Sequence, residues 1–298
     1  MITLPWRTLH ASARPTGRRR TTLASLLGGL ALAVGMTCPA HAQAGDEVPF
    51  ITTPDNVTLA MLELAKVGAQ DTLIDLGSGD GRIVITAARR FGARGLGVEI
   101  VPDLVLRSRE NAVRAGVADR AEFREQDLFK TDLSPYSVIT MYLLPEVNLQ
   151  LRPLVLRLRP GTRVVSHDWD MGEWLPDRTV TLDVPDKAVG RDKLSRVHLW
   201  VVPAAVEGLW CGPGGAQLRL ERRFQVVQGR AGGARDLALA HGRVEGSDLH
   251  LSGPGGELRA RLVEGGGKPV LRVLNSSGTW QAWREVTFQQ GSGEVCKI

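Results

Sequence analysis

A glycine-rich turn between an apolar strand and a helical pattern is the feature that most constrains how this chain can fold. The turn covers residues 75–81, which read DLGSGDG, and it directly follows the apolar run 72–76. Glycine reaches backbone conformations that are closed to other residues, so such a turn reverses sharply and lets a ligand approach the backbone. At the carboxyl end of a parallel strand, this is where α/β sheets bind nucleotides.

The spacing of the glycines separates two kinds of nucleotide loop. A dinucleotide-binding fingerprint that starts at Gly77 needs a glycine at position 82, which is Arg82 in this chain. The glycines lie instead at 77, 79 and 81, which is typical of the loop that binds S-adenosylmethionine (SAM). The spacing disfavours a dehydrogenase, and the alternative is a tight turn that binds no ligand. The predicted SAM contacts in this loop are Asp75, Gly77, Ser78, Gly79 and Gly81.

Strand and helix patterns alternate through residues 55–203, which indicates an α/β fold with a mostly parallel sheet covered on both faces. Two consecutive strands at the end of this region predict an antiparallel hairpin at the sheet edge. Together they predict a Rossmann-like, seven-stranded sheet. The predicted strands are 72–76, 94–100, 121–125, 136–142, 163–166, 179–184 and 196–202, and the predicted helices are 55–67, 82–91, 102–115 and 149–158.

The composition changes after residue 203. Glycine-rich turns then separate short runs of alternating polar and apolar residues, which is the pattern of strands joined by tight turns. We predict an α/β domain over residues 43–203 and a small all-β domain over residues 206–298, with about six strands in meandering order. The clearest runs are 217–227, 248–251, 257–263 and 270–274.

Acidic residues also mark the ends of the second and third predicted strands. Glu99 ends the second strand and Asp127 follows the third, so both are expected at the same sheet edge as the glycine loop. The carboxylate of Glu99 can accept hydrogen bonds from both hydroxyls of a ribose. Asp127 can accept one from an adenine amino group, with Leu128 against the ring. Each acid alone is compatible with a solvated surface charge, but their combination with the loop favours a SAM site.

Six motifs carry a more specific resemblance: Thr53-Pro54, the glycine loop, Gly97-Val98-Glu99, Asp127-Leu128-Phe129, Tyr142-Leu143-Leu144-Pro145 and residues 160–166. Together they resemble the protein-lysine methyltransferases related to the mitochondrial enzymes that modify adenine nucleotide translocase and the ATP synthase c subunit. The resemblance covers residues 48–176 and implies a class I SAM-dependent methyltransferase domain. It implies that Asp75, Gly77, Gly79, Glu99 and Asp127 bind SAM, that Thr53 and Pro54 close the cofactor pocket, and that residues 142–145 form its substrate-facing wall.

Methylation of lysine adds a chemical requirement, because an amine with a pKa near 10.4 must lose a proton before it can attack a methyl group. The candidate catalytic residues at the strand ends are Tyr142, His167 and Asp168, and Asn148 is a candidate for orienting the amine. His167 is equally compatible with a hydrogen-bonded structural role. No spacing of cysteine and histidine residues supports a zinc site, so we predict no metal.

Residues 1–42 have the pattern of a secretory signal peptide. They contain five arginines and no acidic residue, an apolar run at 23–36, and Ala40-His41-Ala42 before a predicted cleavage site. Arg19-Arg20 also fits a twin-arginine signal. The alternatives are a mitochondrial transit peptide and a membrane anchor, although the run is shorter than the ~20 residues that span a bilayer. We predict an exported, periplasmic protein with no membrane span in its mature chain.

The basic charge of the chain is concentrated in this leader. The whole chain has 37 lysines and arginines and 32 acidic residues. Five of the arginines lie in residues 1–42, so 32 basic residues remain to balance the 32 acidic ones. The mature chain is therefore neutral, and we predict no nucleic-acid partner. Cys211 and Cys296 remain in the mature chain and can form a disulfide in an oxidising compartment, with two buried free thiols as the alternative.

From the sequence alone, three functions remain open. The first is a protein-lysine methyltransferase, and the second is a methyltransferase that acts on a small molecule such as an amine. The third is an exported SAM-binding protein without turnover, because SAM is made in the cytosol. The presence of Asp75, Glu99 and Asp127 argues against a decayed site.

Overall fold

The described part of the chain covers residues 51–188, 192–233, 237–293 and Cys296, in a computed structural model. The predicted signal peptide, residues 1–42, lies outside the described residues. Among the residues that are described, no helix is both long and apolar enough to cross a membrane.

The first part of the fold is a seven-stranded sheet in the order β3-β2-β1-β4-β5-β7-β6. Strands β1 to β5 are parallel, and β7 is antiparallel to both of its neighbours, as the predicted edge hairpin requires. This topology confirms the predicted α/β class. The strands are β1 Thr72–Leu76, β2 Arg94–Glu99, β3 Ala121–Glu125, β4 Val138–Met141, β5 Arg163–His167, β6 Arg178–Asp183 and β7 Leu194–Val201; the helices are α1 Asp55–Leu64, α2 Arg82–Phe91, α3 Pro102–Arg114 and α4 Pro145–Val155.

Apolar clusters cover both faces of this sheet and hold its strands in register. The central strands β1 and β4 are buried along almost their whole length, because helices pack on each side of them. Helices α1, α2 and α3 contribute to the cluster on one face. On the other face, α4 packs with two tryptophans that are fully buried, Trp174 and Trp200. The strands β1, β2, β4 and β5 therefore lie between packed apolar clusters on both faces of the sheet.

Helix α4 begins four residues earlier than the pattern predicted, at Pro145 instead of residue 149. Leu144 before it is extended, and Pro145 takes the first helical position, where its fixed φ and missing N–H do no harm. The shift places Asn148 in the first turn of the helix. From there its side chain reaches the segment that follows β5.

The second part of the fold is a closed antiparallel barrel of eight strands, so the prediction of about six was too low. The run 217–227 contains two strands that turn at Phe224, which has a φ of 54°. Meandering order is confirmed, and the barrel closes by pairing its first and last strands. The strands are β8 Gly208–Cys211, β9 Gln217–Arg223, β10 Val226–Gly232, β11 Leu237–Glu245, β12 Asp248–Gly253, β13 Gly256–Gly265, β14 Lys268–Ser276 and β15 Thr287–Gln290.

A disulfide joins Cys211 in β8 to Cys296, as predicted, and their Cα atoms are 5.6 Å apart. The bond ties the chain after β15 to the strand that β15 pairs with. The interior of the barrel is filled by apolar side chains, among them Trp210, Trp280 and Phe288. These side chains pack together as the apolar core of the barrel.

The barrel contacts the sheet at the end opposite the glycine loop. The backbone N–H of Ala204 donates to the carbonyl of Gly246, in the turn between β11 and β12, at 2.7 Å. The side chain of Gln225, in the turn between β9 and β10, donates to the carbonyl of Leu175 at 2.7 Å. Because β5 starts at this end, the barrel leaves the carboxyl ends of β1, β2, β4 and β5 uncovered by these contacts.

Candidate functional site

The glycine loop lies between the end of β1 and the start of α2, and its shape depends on glycine. Gly77, Gly79 and Gly81 have φ values of 71°, 52° and 81°, a region that other residues rarely adopt. A Cβ atom on Gly77 would lie 2.9 Å from Leu143 Cδ2, so the loop rests directly against the segment after β4. Because β1 and β4 pair side by side, this contact continues their neighbourhood beyond the ends of both strands.

Glu99 at the end of β2 holds the loop from the other side. Its Oε2 accepts a hydrogen bond from the backbone N–H of Gly79 at 3.0 Å. Its Oε1 accepts from the N–H groups of Ile100 and Val101 at 2.9 and 3.1 Å. The carboxylate is therefore oriented by the backbone of the protein, and it keeps lone pairs for further donors. Beneath the loop, the buried hydroxyl of Ser78 has no hydrogen-bond partner.

Asp75 lies at the base of the loop and is 2% exposed. The hydroxyl of Thr140 in β4 donates to its Oδ1 at 2.7 Å. Burial raises the pKa of Asp75 to about 8, and the nearby charges of Glu99 and Asp80 raise it further against the lowering effect of Thr140. Asp75 is thus mostly protonated at neutral pH, and a cation bound beside it would favour its ionised form.

Asp127 after β3 begins a short 3-10 helix. Its Oδ1 accepts from the N–H of Phe129 at 2.9 Å, and its Oδ2 lies 3.4 Å from Lys130 Nζ. Leu128 packs against the apolar cluster beneath. One third of the Asp127 side chain is exposed, so it remains accessible at the same sheet edge as Glu99.

Arg82 holds the segment before α1, which contains Thr53 and Pro54, beside the glycine loop. The carbonyl of Thr53 accepts a hydrogen bond from Arg82 Nη1 at 2.8 Å, and Arg82 forms an ion pair with Asp80 of the loop at 2.7 Å. Pro54 follows and caps the start of α1. The predicted cofactor residues of this segment, Thr53 and Pro54, therefore lie next to the glycine loop.

His167, the last residue of β5, packs against Tyr142, and their ring centroids are 3.9 Å apart. Its Nδ1 is 3.4 Å from Thr53 Oγ1 and its Nε2 is 3.0 Å from Ser195 Oγ. Hydroxyls can donate or accept, so a neutral imidazole satisfies both contacts. Burial is the largest influence on its pKa and lowers it to about 4; Lys187 also lowers it, and Asp168 opposes them. His167 is therefore neutral near pH 7, and its ring packs against the ring of Tyr142.

Asp168 follows His167 with an unusual backbone, at a φ of 62°. Its N–H donates to the carbonyl of Arg196 at 2.7 Å, and its Oδ1 accepts from the Arg196 N–H at 2.9 Å. These two bonds fix the carboxyl group to the start of β7. Its Oδ2 is 2.8 Å from Lys187 Nζ and 3.5 Å from His167 Nε2.

Asn148 occupies a different place from the other candidates, because it is fully buried behind the site. Its Nδ2 lies within donating distance of Ser166 Oγ at 3.2 Å and of the carbonyls of Trp169 and Asp170 at 3.1 and 3.3 Å. The structure therefore places Asn148 where it positions the segment after β5, rather than where it would meet an amine.

Three residues of this site carried no sequence signal. Thr140, Ser195 and Lys187 contact Asp75, His167 and Asp168 respectively. Thr140 and Ser195 lie inside strands, where a hydroxyl gives no sign of its partner. Lys187 lies in the connection between β6 and β7, outside any motif, and only the pairing of β7 with β5 brings it to Asp168.

The arrangement fits SAM in its shape and in its chemistry. The loop turns through three glycines with positive φ, Glu99 supplies an oriented carboxylate for a diol, and a buried hydroxyl at Ser78 lacks a partner. A sheet of this order, with a glycine loop after its first strand and an acid after its second, defines the class I SAM-dependent methyltransferases. No group of three or more histidine, cysteine or acidic residues suited to a metal occurs among the described residues.

Comparisons with known proteins agree with this class. The ANTKMT methyltransferase domain model matches residues 75–178. A protein-lysine N-methyltransferase of Saccharolobus islandicus (strain REY15A) is 42% identical over 138 residues, which cover 46% of this chain and 86% of that protein. A Mus musculus lysine N-methyltransferase of the ATP synthase c subunit is 43% identical over 108 residues, which cover 36% of this chain and 43% of that enzyme.

A crystal structure of an RNA methyltransferase from Salinibacter ruber with S-adenosyl-L-homocysteine is 54% identical, with coverage of 52% of this chain and 96% of that chain, at a TM-score of 0.48.

The chain belongs to the family of protein-lysine N-methyltransferases, because it covers 86% of the Saccharolobus islandicus enzyme at 42% identity. SAM is its cofactor, the predicted resemblance is confirmed, and the dehydrogenase alternative is excluded. The barrel lies beyond the matched residues 75–178.

The buried imidazole of His167 makes a prediction about acid stability. Its pKa is about 4 in the folded chain and about 6.5 when unfolded, so the unfolded chain binds more protons between these values. The free energy of unfolding should therefore fall by on the order of 2–3 kcal/mol as the pH drops from 6.5 to 4, beyond the effect of other groups. Urea unfolding across this range should show a flatter slope for His167→Gln than for wild type.

The exposed histidine His250 offers a matched control for this measurement. His250→Gln should keep the wild-type dependence of stability on pH. If His167→Gln and wild type lose stability in parallel from pH 6.5 to 4, His167 is not a neutral buried group.

Proposed function

We propose that this protein transfers a methyl group from SAM to the side-chain amine of a lysine in another protein. The observation that carries the proposal is the cluster of Tyr142, His167 and Asp168 at the sheet edge that also holds the glycine loop. The close approach of Gly77 to Leu143 joins the two halves of the site. Membership in a family of lysine methyltransferases supports an amine as the acceptor.

The cofactor half is assigned to residues whose geometry suits the parts of SAM. Glu99 would accept hydrogen bonds from the ribose hydroxyls, and Asp127 one from the adenine amino group, beside Leu128. Asp75 would become ionised next to the positive charge of the methionine part, which its raised pKa permits. When bound, SAM supplies a methyl group on a positively charged sulfur, which an amine can attack. Thr53 and Pro54 would close the pocket from the side that Arg82 fixes.

The acceptor half has to hold a lysine and let its proton leave. The carboxylate of Asp168 offers a hydrogen-bond acceptor and a negative charge for the incoming group. His167 has a pKa of about 4, so it is a poor base near neutral pH and serves instead to orient Tyr142. The half-buried ring of Tyr142 shields the amine from water, which opposes the effect of the Asp168 charge on the pKa of the lysine and helps the proton to leave. Asn148 keeps the segment after β5 in place.

The acceptor is tested with radiolabelled SAM and paired peptides that differ at one position, one with a single lysine and one with norleucine there. We expect label on the lysine peptide only, and a loss of about 10²-fold or more in kcat/KM for Asp168→Asn, because a positioned acceptor of protons contributes that much. Scintillation counting and peptide mass measure both.

Other outcomes of this experiment select the alternatives. Turnover on small amines or hydroxyls but on no protein or peptide would indicate a small-molecule methyltransferase. Tight SAM binding without turnover on any acceptor would indicate a SAM-binding protein.

We further propose that the protein is exported to the periplasm, with residues 1–42 as its signal peptide and domains over 43–203 and 206–298. The support is the leader pattern together with the disulfide between Cys211 and Cys296, since disulfides persist in oxidising compartments. Such an enzyme requires a supply of SAM outside the cytosol.

Cleavage of the leader can be measured on the protein recovered from its native cells. N-terminal sequencing of the periplasmic fraction should give Gln43 as the first residue. A chain that starts at or near Met1 and stays in the cytosolic fraction would contradict export.

A further inference from the structure

A lysine of the protein itself already sits in the proposed acceptor half of the site. Lys187 Nζ lies 2.8 Å from Asp168 Oδ2 and donates to the carbonyl of Leu194 at 2.5 Å. The Lys187 side chain is 12% exposed, and the Asp168 side chain is 14% exposed. An ammonium group is therefore held on the carboxylate next to His167.

The groups around this ion pair are residues of the proposed acceptor half. The carboxylate is fixed by its bond to the backbone of Arg196, and its other neighbours are the neutral ring of His167, which carries Tyr142, and the ammonium of Lys187. In the described part of the chain, the cation paired with Asp168 is thus the ammonium group of a lysine, which is also the group that the proposed acceptor carries.

We propose that Asp168 is the binding subsite for the ammonium group of the acceptor lysine, and that Lys187 is an internal occupant which the acceptor must displace. The inference rests on the proposed function for its choice of ligand. It adds a specificity device: only a cation that can replace Lys187 on Asp168 gains entry, so an acetylated lysine, which cannot carry a positive charge, is rejected. The bound ammonium then passes a proton to the Asp168 carboxylate before its nitrogen attacks the methyl group.

The energetics of exchange give the expected size of the effect. Leaving Asp168 without a cation is unfavourable, because a mostly buried charge then has no partner. If Lys187 occupies the subsite in about nine of ten molecules, the apparent affinity for an acceptor is about tenfold weaker than for an open subsite. Removal of the Lys187 ammonium should therefore tighten acceptor binding, whereas an ordinary structural ion pair would leave it unchanged or weaken it.

The test is a binding measurement that needs no turnover. The full-length protein is saturated with S-adenosyl-L-homocysteine and titrated by calorimetry with the single-lysine peptide and with its acetyl-lysine version. We expect Lys187→Met to bind the lysine peptide about tenfold or more tightly than wild type, and Lys187→Arg to resemble wild type. Asp168→Asn should lose binding, and the acetyl-lysine peptide should bind to none of these proteins.

Arg163 supplies a matched control, because it forms a similarly buried ion pair with Asp71 at the opposite end of β5. Arg163→Met removes a cation of comparable exposure and should leave peptide binding as in wild type. Thermal unfolding checks each variant, and Lys187→Gln replaces Lys187→Met if the latter does not fold.

Three results would overturn the inference: equal or weaker binding by Lys187→Met, undiminished binding by Asp168→Asn, or no binding of the lysine peptide to any variant. Its failure is distinct from failure of the proposed function. Tighter binding by Lys187→Met without methylation would contradict the proposed function alone. Methylation of the lysine peptide with no effect of Lys187 on binding would contradict this inference alone.

Discussion

The hydrogen bond from the N–H of Gly79 to Oε2 of Glu99 is the interaction on which the rest of the site depends. It joins the loop after β1 to the end of β2, and it requires the left-handed backbone that glycine allows at Gly77, Gly79 and Gly81. With the loop in this shape, Gly77 meets Leu143, which places the end of β4 against it. The cofactor half and the acceptor half thus lie at one edge of the sheet, on segments that adjoin the ends of its strands.

Burial changes the charge of one residue in each half of the site. On the loop side, burial raises the pKa of Asp75 to about 8, which limits the negative charge near Glu99 and Asp80. On the acceptor side, burial lowers the pKa of His167 to about 4, which leaves Asp168 and Lys187 as the charged pair beside it. The charged groups of the site, Glu99 and the Asp168–Lys187 pair, therefore lie where a bound ligand can contact them. The more deeply buried Asp75 and His167 are neutral, which avoids the cost of burying an unpaired charge.

The sequence predicted the sheet well, because each of its central strands is a short buried run followed by a turn or helix signal. The glycine spacing and Glu99 also lie within local motifs, and the structure brings them together. The start of α4 was missed because Pro145 opens a helix as readily as it breaks one. Barrel closure was missed because β8 and β15 are four residues each and pair across a long stretch of chain. Lys187 has no motif at all, and only tertiary structure brings it to Asp168.

The central claim is that the edge around Glu99 binds SAM, and calorimetry with SAM tests it most directly on wild type, Glu99→Gln and Glu125→Gln. Glu125 ends β3 in register with Glu99 and is exposed, so it controls for the loss of a neighbouring carboxylate. We predict wild-type affinity for Glu125→Gln and about 10- to 100-fold weaker binding for Glu99→Gln, the range expected for hydrogen bonds to a charged group. Equal SAM binding by Glu99→Gln and wild type, or no binding by the folded wild-type protein, would contradict the claim.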